Sequence, residues 1–254
     1  VTSNDTTTGS PVLTSAGHLA AVRAAGEATW GLAAGRLDAG VPACPEWQVR
    51  DLVYHLGNVA YYIRACVDHG AGEPDFTDAP MPSDDAVIAW AEQEWDLAVD
   101  SLAAADPAAA AWNWSDEPHV VSFWPRCLTH EAYVHGWDAA DAVDGVLPIP
   151  ADVAVDGVDE ILAVHVPAGV RSGRRFPVAG RAEVRCTDTG HRWLIDTTAD
   201  SVVVTTADDG RPVDERIEAT AEQLYLELWG RVALPLSPIR RAWADQLAAN
   251  WSAS

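Results

Sequence analysis

The sequence predicts a two-part α+β protein: a four-helix bundle followed by a small C-terminal α/β domain with an antiparallel sheet. Three observations predict it. Apolar residues recur at helical spacing in four stretches before Pro148. Composition changes after Pro148 and Pro150. Beyond them RAEVRCTD, HRWLID and SVVVTT are short, β-branched and bounded by the turn formers Asp188, Gly190, Asp200 and Gly210. The expected boundaries are a disordered polar tail over 1–10, the bundle over 11–147 and the second domain over 148–254.

The first helix is expected from Pro11 to Arg36, where an Ala-rich run repeats apolar residues at helical period. Gly40, Pro42 and Pro45 interrupt it, and WQVRDLVYHLGNVAYYIRACVDHG restarts the pattern as a second helix. Ser83, Asp84 and Asp85 predict the start of a third, since a hydroxyl caps open amides and acids favour the positive end of the helix dipole. That helix runs to about Ala105, and FWPRCLTHEAYVHGWDAADAV supplies a fourth. After Pro150 come a helix near 151–165, the three strands, the helix AEQLYLELWGR and a last amphipathic stretch, IRRAWADQLAANW.

With 16 basic and 38 acidic residues the net charge is −22, which argues against nucleic acid or an anionic membrane as partner. Every basic residue is Arg, so lysine Schiff-base and general-base chemistry is excluded. No secretory leader and no apolar run of membrane-spanning length is read, so a cytoplasmic location is expected. The four cysteines are scattered without a CxxC pair, which predicts reduced, mostly buried thiols. A phosphate-binding Gly-rich loop and a GxSxG elbow are both missing, which sets aside nucleotide and serine-hydrolase chemistry.

The segment HEAYVHGWD, residues 130–138, carries the chemistry. His130 and His135 are five apart and point roughly 140° away from each other on a helix, so this is no HExxH protease signature. Glu131 and His135, four apart, share a face and belong to the inward periodicity of Trp124, Leu128 and Ala139. On the second helix His55 falls between the apolar Leu52, Leu56 and Val59 and faces inward. A buried Glu in a chain without Lys is costly unless a cation or a hydrogen bond meets it. Two imidazoles and one carboxylate form a donor set used by catalytic zinc and open also to Fe, Ni or Mn. The plainer alternative is a pair of hydrogen-bonded core histidines. Asp138 is placed either to orient His135 or in a helix-end or interdomain salt bridge. Trp112, Trp114 and Trp124 shape either the mouth of a pocket for a flat substrate, with Trp124 as the substrate-binding candidate, or only its packing.

The stretch VPACPEWQVRDLVYHLG, followed by HEAYVHGWDAADAV and then by DTGHRWLID and AEQLYLELWGR, resembles the mycothiol-dependent maleylpyruvate isomerase family of the DinB-like superfamily. The resemblance implies a metal-binding bundle with His55, Glu131 and His135 as ligands, most often to zinc. It implies a low-molecular-weight thiol, mycothiol, as co-substrate for cis–trans isomerisation or S-transfer on a small electrophile. It also matches Arg231 to a catalytic arginine that holds an anionic group, against the alternative of a cation satisfying a helix C-terminus. A hydrolase or lyase that activates water at the same site, and a non-catalytic small-ligand-binding protein, remain as alternatives. The sequence leaves monomer and homodimer open.

Overall fold

The computed structural model describes residues 13–173 and 175–248; the expected disordered tail, residues 1–10, lies outside them. They divide into two compact units that meet between Ile149 and Pro150.

The N-terminal unit has four long helices: α1 (Ser15–Ala33), α2 (Val49–His69), α3 (Val87–Ala104) and α4 (Trp124–Ala142). Each helix starts where local chemistry stops the chain. Thr14 Oγ1 accepts the amide of Gly17 to cap α1. The Asp51 carboxylate reaches back to the amide of Gln48 at 2.8 Å and fixes the entry of α2. The third helix starts later than the Ser83 signal predicts, at Val87. Residues 83–86 form a turn instead, because Ser83 Oγ bonds Asp85 and the Asp84 carboxylate is drawn out to Arg50.

Around the bundle, α1 packs on α3 and α4, and α2 packs on α3 and α4. The buried stripe of α2 is Leu52, Val53, Leu56, Ala60 and Ile63, each worth about 1.5–3 kcal/mol where a large side chain is removed from water. Val59, expected in that stripe, lies at its half-buried margin. Helix α4 is buried on almost every face, Trp124, Leu128, Ala132, Val134 and Ala139 among them. Two glycines permit this closeness on the helices that matter most. A Cβ at Gly57 of α2 would sit 2.3 Å from the Trp90 ring, and one at Gly136 of α4 would meet Leu147 at 2.5 Å and Thr29 at 2.7 Å.

The C-terminal unit opens with α5 (Ala151–Glu160), which passes through a π turn at Ile161–His165 into α6 (Val166–Arg171), so the helix expected near 151–165 runs a turn and a half further. In an α-helix residues five apart diverge; the wider turn brings His165 Nε2 to 3.6 Å from Glu160 Oε2. The strands β1 (Gly180–Cys186), β2 (Arg192–Thr197) and β3 (Val202–Thr205) pair antiparallel as expected, from Gly180↔Thr197 to Arg185↔Arg192 and from Leu194↔Thr205 to Thr197↔Val202. A fourth strand, β4 (Glu215–Ala219), corrects the all-antiparallel expectation: it lies parallel to β1, in the order β3-β2-β1-β4. Its sequence ERIEA hides it, because a charged outer face alternates with a single buried Ile217, as suits a guarded edge strand. Helices α7 (Ala221–Leu228) and α8 (Pro238–Leu247) follow. Among the described residues no helix is long and apolar enough to cross a membrane.

Candidate metal centre

Helices α2 and α4 are neighbours in the bundle, and each presents part of one cluster. His55 comes from the second turn of α2, Glu131 and His135 from consecutive turns of α4. One ligand atom from each lies within 4.8 Å of the other two. Glu131 Oε2 stands 3.5 Å from His55 Nε2 and 3.5 Å from His135 Nε2, and the two imidazole rings meet edge to face with centroids 4.7 Å apart.

The three side chains are graded in exposure, 34% for His55, 18% for Glu131 and 10% for His135. His55 is therefore less buried than its helical position between Leu52 and Leu56 suggested: it sits on the margin of the stripe, beside Val59. Its ring is partly exposed there, while its Nε2, the atom turned to the cluster, is buried.

Asp138, fully buried, accepts from His135 Nδ1 at 3.0 Å. A carboxylate accepts only, so the neutral ring carries its proton on Nδ1 and turns the Nε2 lone pair toward Glu131. Burial pushes the His135 pKa below its ordinary value, against the upward pull of Asp138, which keeps the ring neutral near pH 7. An imidazole lone pair thus faces a carboxylate at 3.5 Å, acceptor against acceptor. His55 Nε2 is also buried and makes no hydrogen bond. Two imidazole nitrogens and a carboxylate oxygen directed at one another suit a divalent cation, and the residues fit one.

The remaining candidates have local partners of their own. Trp124 is 2% exposed and spends its indole N–H on the Trp112 carbonyl at 3.1 Å; the packing alternative describes its surroundings, which include Phe123 and Tyr62. Arg231 belongs to the C-terminal unit. There Gly230, at φ 71°, ends α7 in a Schellman motif, with Gly230 N bonding Glu227 O and Arg231 N bonding Leu226 O, and Arg231 Nη1 donates to the Trp229 carbonyl at 2.7 Å. His130 is buried and meets His18 edge to face, away from the cluster as its spacing required. No disulfide forms among the described residues; burial raises Cys66 and Cys186 to about 11 and keeps both protonated.

Sequence reasoning missed Trp47 as a site residue. Its ring centroid is 5.0 Å from that of His55 and 5.9 Å from that of His135. The available signal was its place just before the amide cap of α2, eight residues before His55, in a loop whose fold no periodicity describes.

Neither the curated proteins nor the solved structures supply a significant match. A family model, the mycothiol maleylpyruvate isomerase N-terminal domain, matches residues 18–140, a span that holds all four helices except the first three residues of α1 and the last two of α4 and contains the whole His–Glu–His cluster with Asp138. By its sequence, and with the helical architecture and the site just described, the bundle of this chain belongs to the mycothiol maleylpyruvate isomerase N-terminal domain family.

Proposed function

We propose that the chain is a divalent-metal enzyme of the maleylpyruvate isomerase type, which uses a low-molecular-weight thiol such as mycothiol to isomerise, or to transfer sulfur to, a small electrophile. The observation that carries this reading is the convergence of His55, Glu131 and His135 within 4.8 Å, with two acceptor atoms opposed and one imidazole nitrogen without a hydrogen bond. Zinc suits the donor set best, and a divalent ion held there supplies the Lewis acidity that lowers the pKa of a thiol toward neutrality.

The protein's own residues perform the rest. Glu131 contributes the negative charge of the donor set, and the neutral His135, aligned by Asp138, contributes a lone pair of fixed direction. His55, on the half-buried margin, is the most exposed of the three and so the side from which thiol and substrate would approach. For an isomerisation, the thiolate adds to one carbon of a cis double bond conjugated to a carbonyl, and the electron pair moves onto the carbonyl oxygen. The carbon–carbon bond, now single, rotates; the pair returns, the thiolate leaves, and the trans isomer forms with no net change in thiol or protons.

The test is turnover of conjugated cis-enoic acids by zinc-loaded protein with and without mycothiol. Loss of the cis isomer only when thiol is present, and its abolition in His135→Ala, is the expected result. Turnover in buffer alone would instead favour the water-activating hydrolase or lyase. Ligand binding that survives chelation of the metal, without turnover, would favour the binding protein.

A further inference from the structure

Trp47 stands two residues before α2 and is held there by backbone bonds on both sides: its amide donates to the Cys44 carbonyl at 2.8 Å, and its carbonyl accepts from Val41 N at 2.9 Å. Just outside them, Gly40 and Gln48 form an antiparallel bridge, and Val49 N bonds Ala39 O at 2.8 Å. The loop is thus closed on itself, which fixes the backbone position from which the indole projects. The indole lies against both imidazoles of the cluster, tilted 45° to His55 and 35° to His135. It is half-buried, so one side of the most accessible part of the site is an aromatic surface.

We propose that Trp47 is a specificity-determining residue of this centre, selecting a thiol over water or a small hard anion as the incoming ligand. The inference rests on the metal-and-thiol reading above. Its physical basis is the difference in what the two ligands need. Water and small oxygen or nitrogen anions are held by directed hydrogen bonds, and an indole face offers them little. A sulfur atom and its alkyl arm gain from an aromatic ring at about 5 Å and from burial of CH₂ groups against it. The same wall therefore favours one class without adding a ligand to the metal.

The experiment loads the 254-residue chain with Co²⁺ and titrates two probes, 2-mercaptoethanol, followed by the sulfur-to-cobalt charge-transfer absorption, and azide, followed by the visible cobalt bands. In Trp47→Leu the thiol is expected to bind roughly two- to tenfold more weakly while azide stays within about twofold, and Trp47→Phe is expected to restore the thiol preference. Trp47→Ala is measured in parallel, so that loss of the ion in one variant leaves the comparison standing. Equal weakening of both probes, or no change in either, overturns the role of Trp47 and leaves the metal centre intact. A wild-type chain that takes up no Co²⁺, or takes it up and shows no sulfur band, overturns the underlying reading and this inference with it.

Discussion

In the C-terminal unit the buried Arg181, 5% exposed at its side chain, gives its guanidinium to Asp196 at 3.1 Å and to Asp209 at 2.9 Å, whereas in the bundle two imidazoles and a carboxylate, less deeply buried, confront one another at 3.5 Å. The first arrangement recurs within the same unit. Glu183 faces Arg192 and Arg216, and Glu227 is clasped by Arg241. There every named carboxylate is paired with an arginine, which is how a buried charge is kept for structure. The cluster on α2 and α4 opposes acceptor atoms, an arrangement that a cation resolves. A chain with so large an excess of acids thus sets arginines against carboxylates in both units, Arg50–Asp84 and Arg64–Glu94 of the bundle among them, and on α2 and α4 brings together a converging donor set instead.

The strongest way to break this contrast is to remove a donor. His55→Ala or His135→Ala is expected to lower the metal content of dialysed protein well below one per chain, while His119→Ala, on an exposed loop, leaves it unchanged; elemental analysis decides. Stoichiometric metal in all three variants would remove the centre from its assigned place. Next in size, Asp138→Asn keeps the shape of the helix but gives His135 Nδ1 a different partner, and metal affinity is expected to fall about ten- to hundredfold by chelator competition, with the melting temperature little changed.

The structural side of the contrast is tested by Arg181→Met. Breaking a fully buried pair costs about 3–5 kcal/mol, and because Asp196 is 28% and Asp209 44% exposed a loss of about 2 kcal/mol is expected in urea unfolding. Metal content should be untouched. The smallest effect is one of pH. Hydrogen bonds from Arg211, and then from its own loop, hold the Asp209 carboxyl down at about 2, below its value in the unfolded chain. A carboxyl depressed on folding stabilises fully above its unfolded pKa of about 4 and loses that contribution as pH falls toward 2. Asp209→Asn should therefore flatten the stability profile between about pH 4 and 2, and an unchanged profile would show that the exposed pair contributes nothing.

Helical spacing made much of the bundle legible. The pattern 52, 56 on α2 and 128, 139 on α4 placed the core, and the four-residue interval between Glu131 and His135 joined two members of the cluster before any tertiary contact was known. The same reasoning set His130 apart from them, and it lies against His18. Where charge and periodicity competed, local reading failed. Ser83 signalled a helix start but bonds Asp85 within a turn, and the sequence reading assigns no strand to ERIEA, where Ile217 lies beside Val184 of β1.

By itself the sequence determined which residues share a face, because helical and strand periods are properties of the backbone and act over a few residues. Tertiary structure alone decided that His55 meets a pair of residues 76 and 80 positions later, that it does so at the half-exposed margin, and that the Trp47 indole covers both imidazoles. Depth and partnership depend on how α2 and α4 settle against each other, down to the missing Cβ at Gly57 and Gly136. That settling is fixed by close packing between segments far apart in the chain, which no local period encodes.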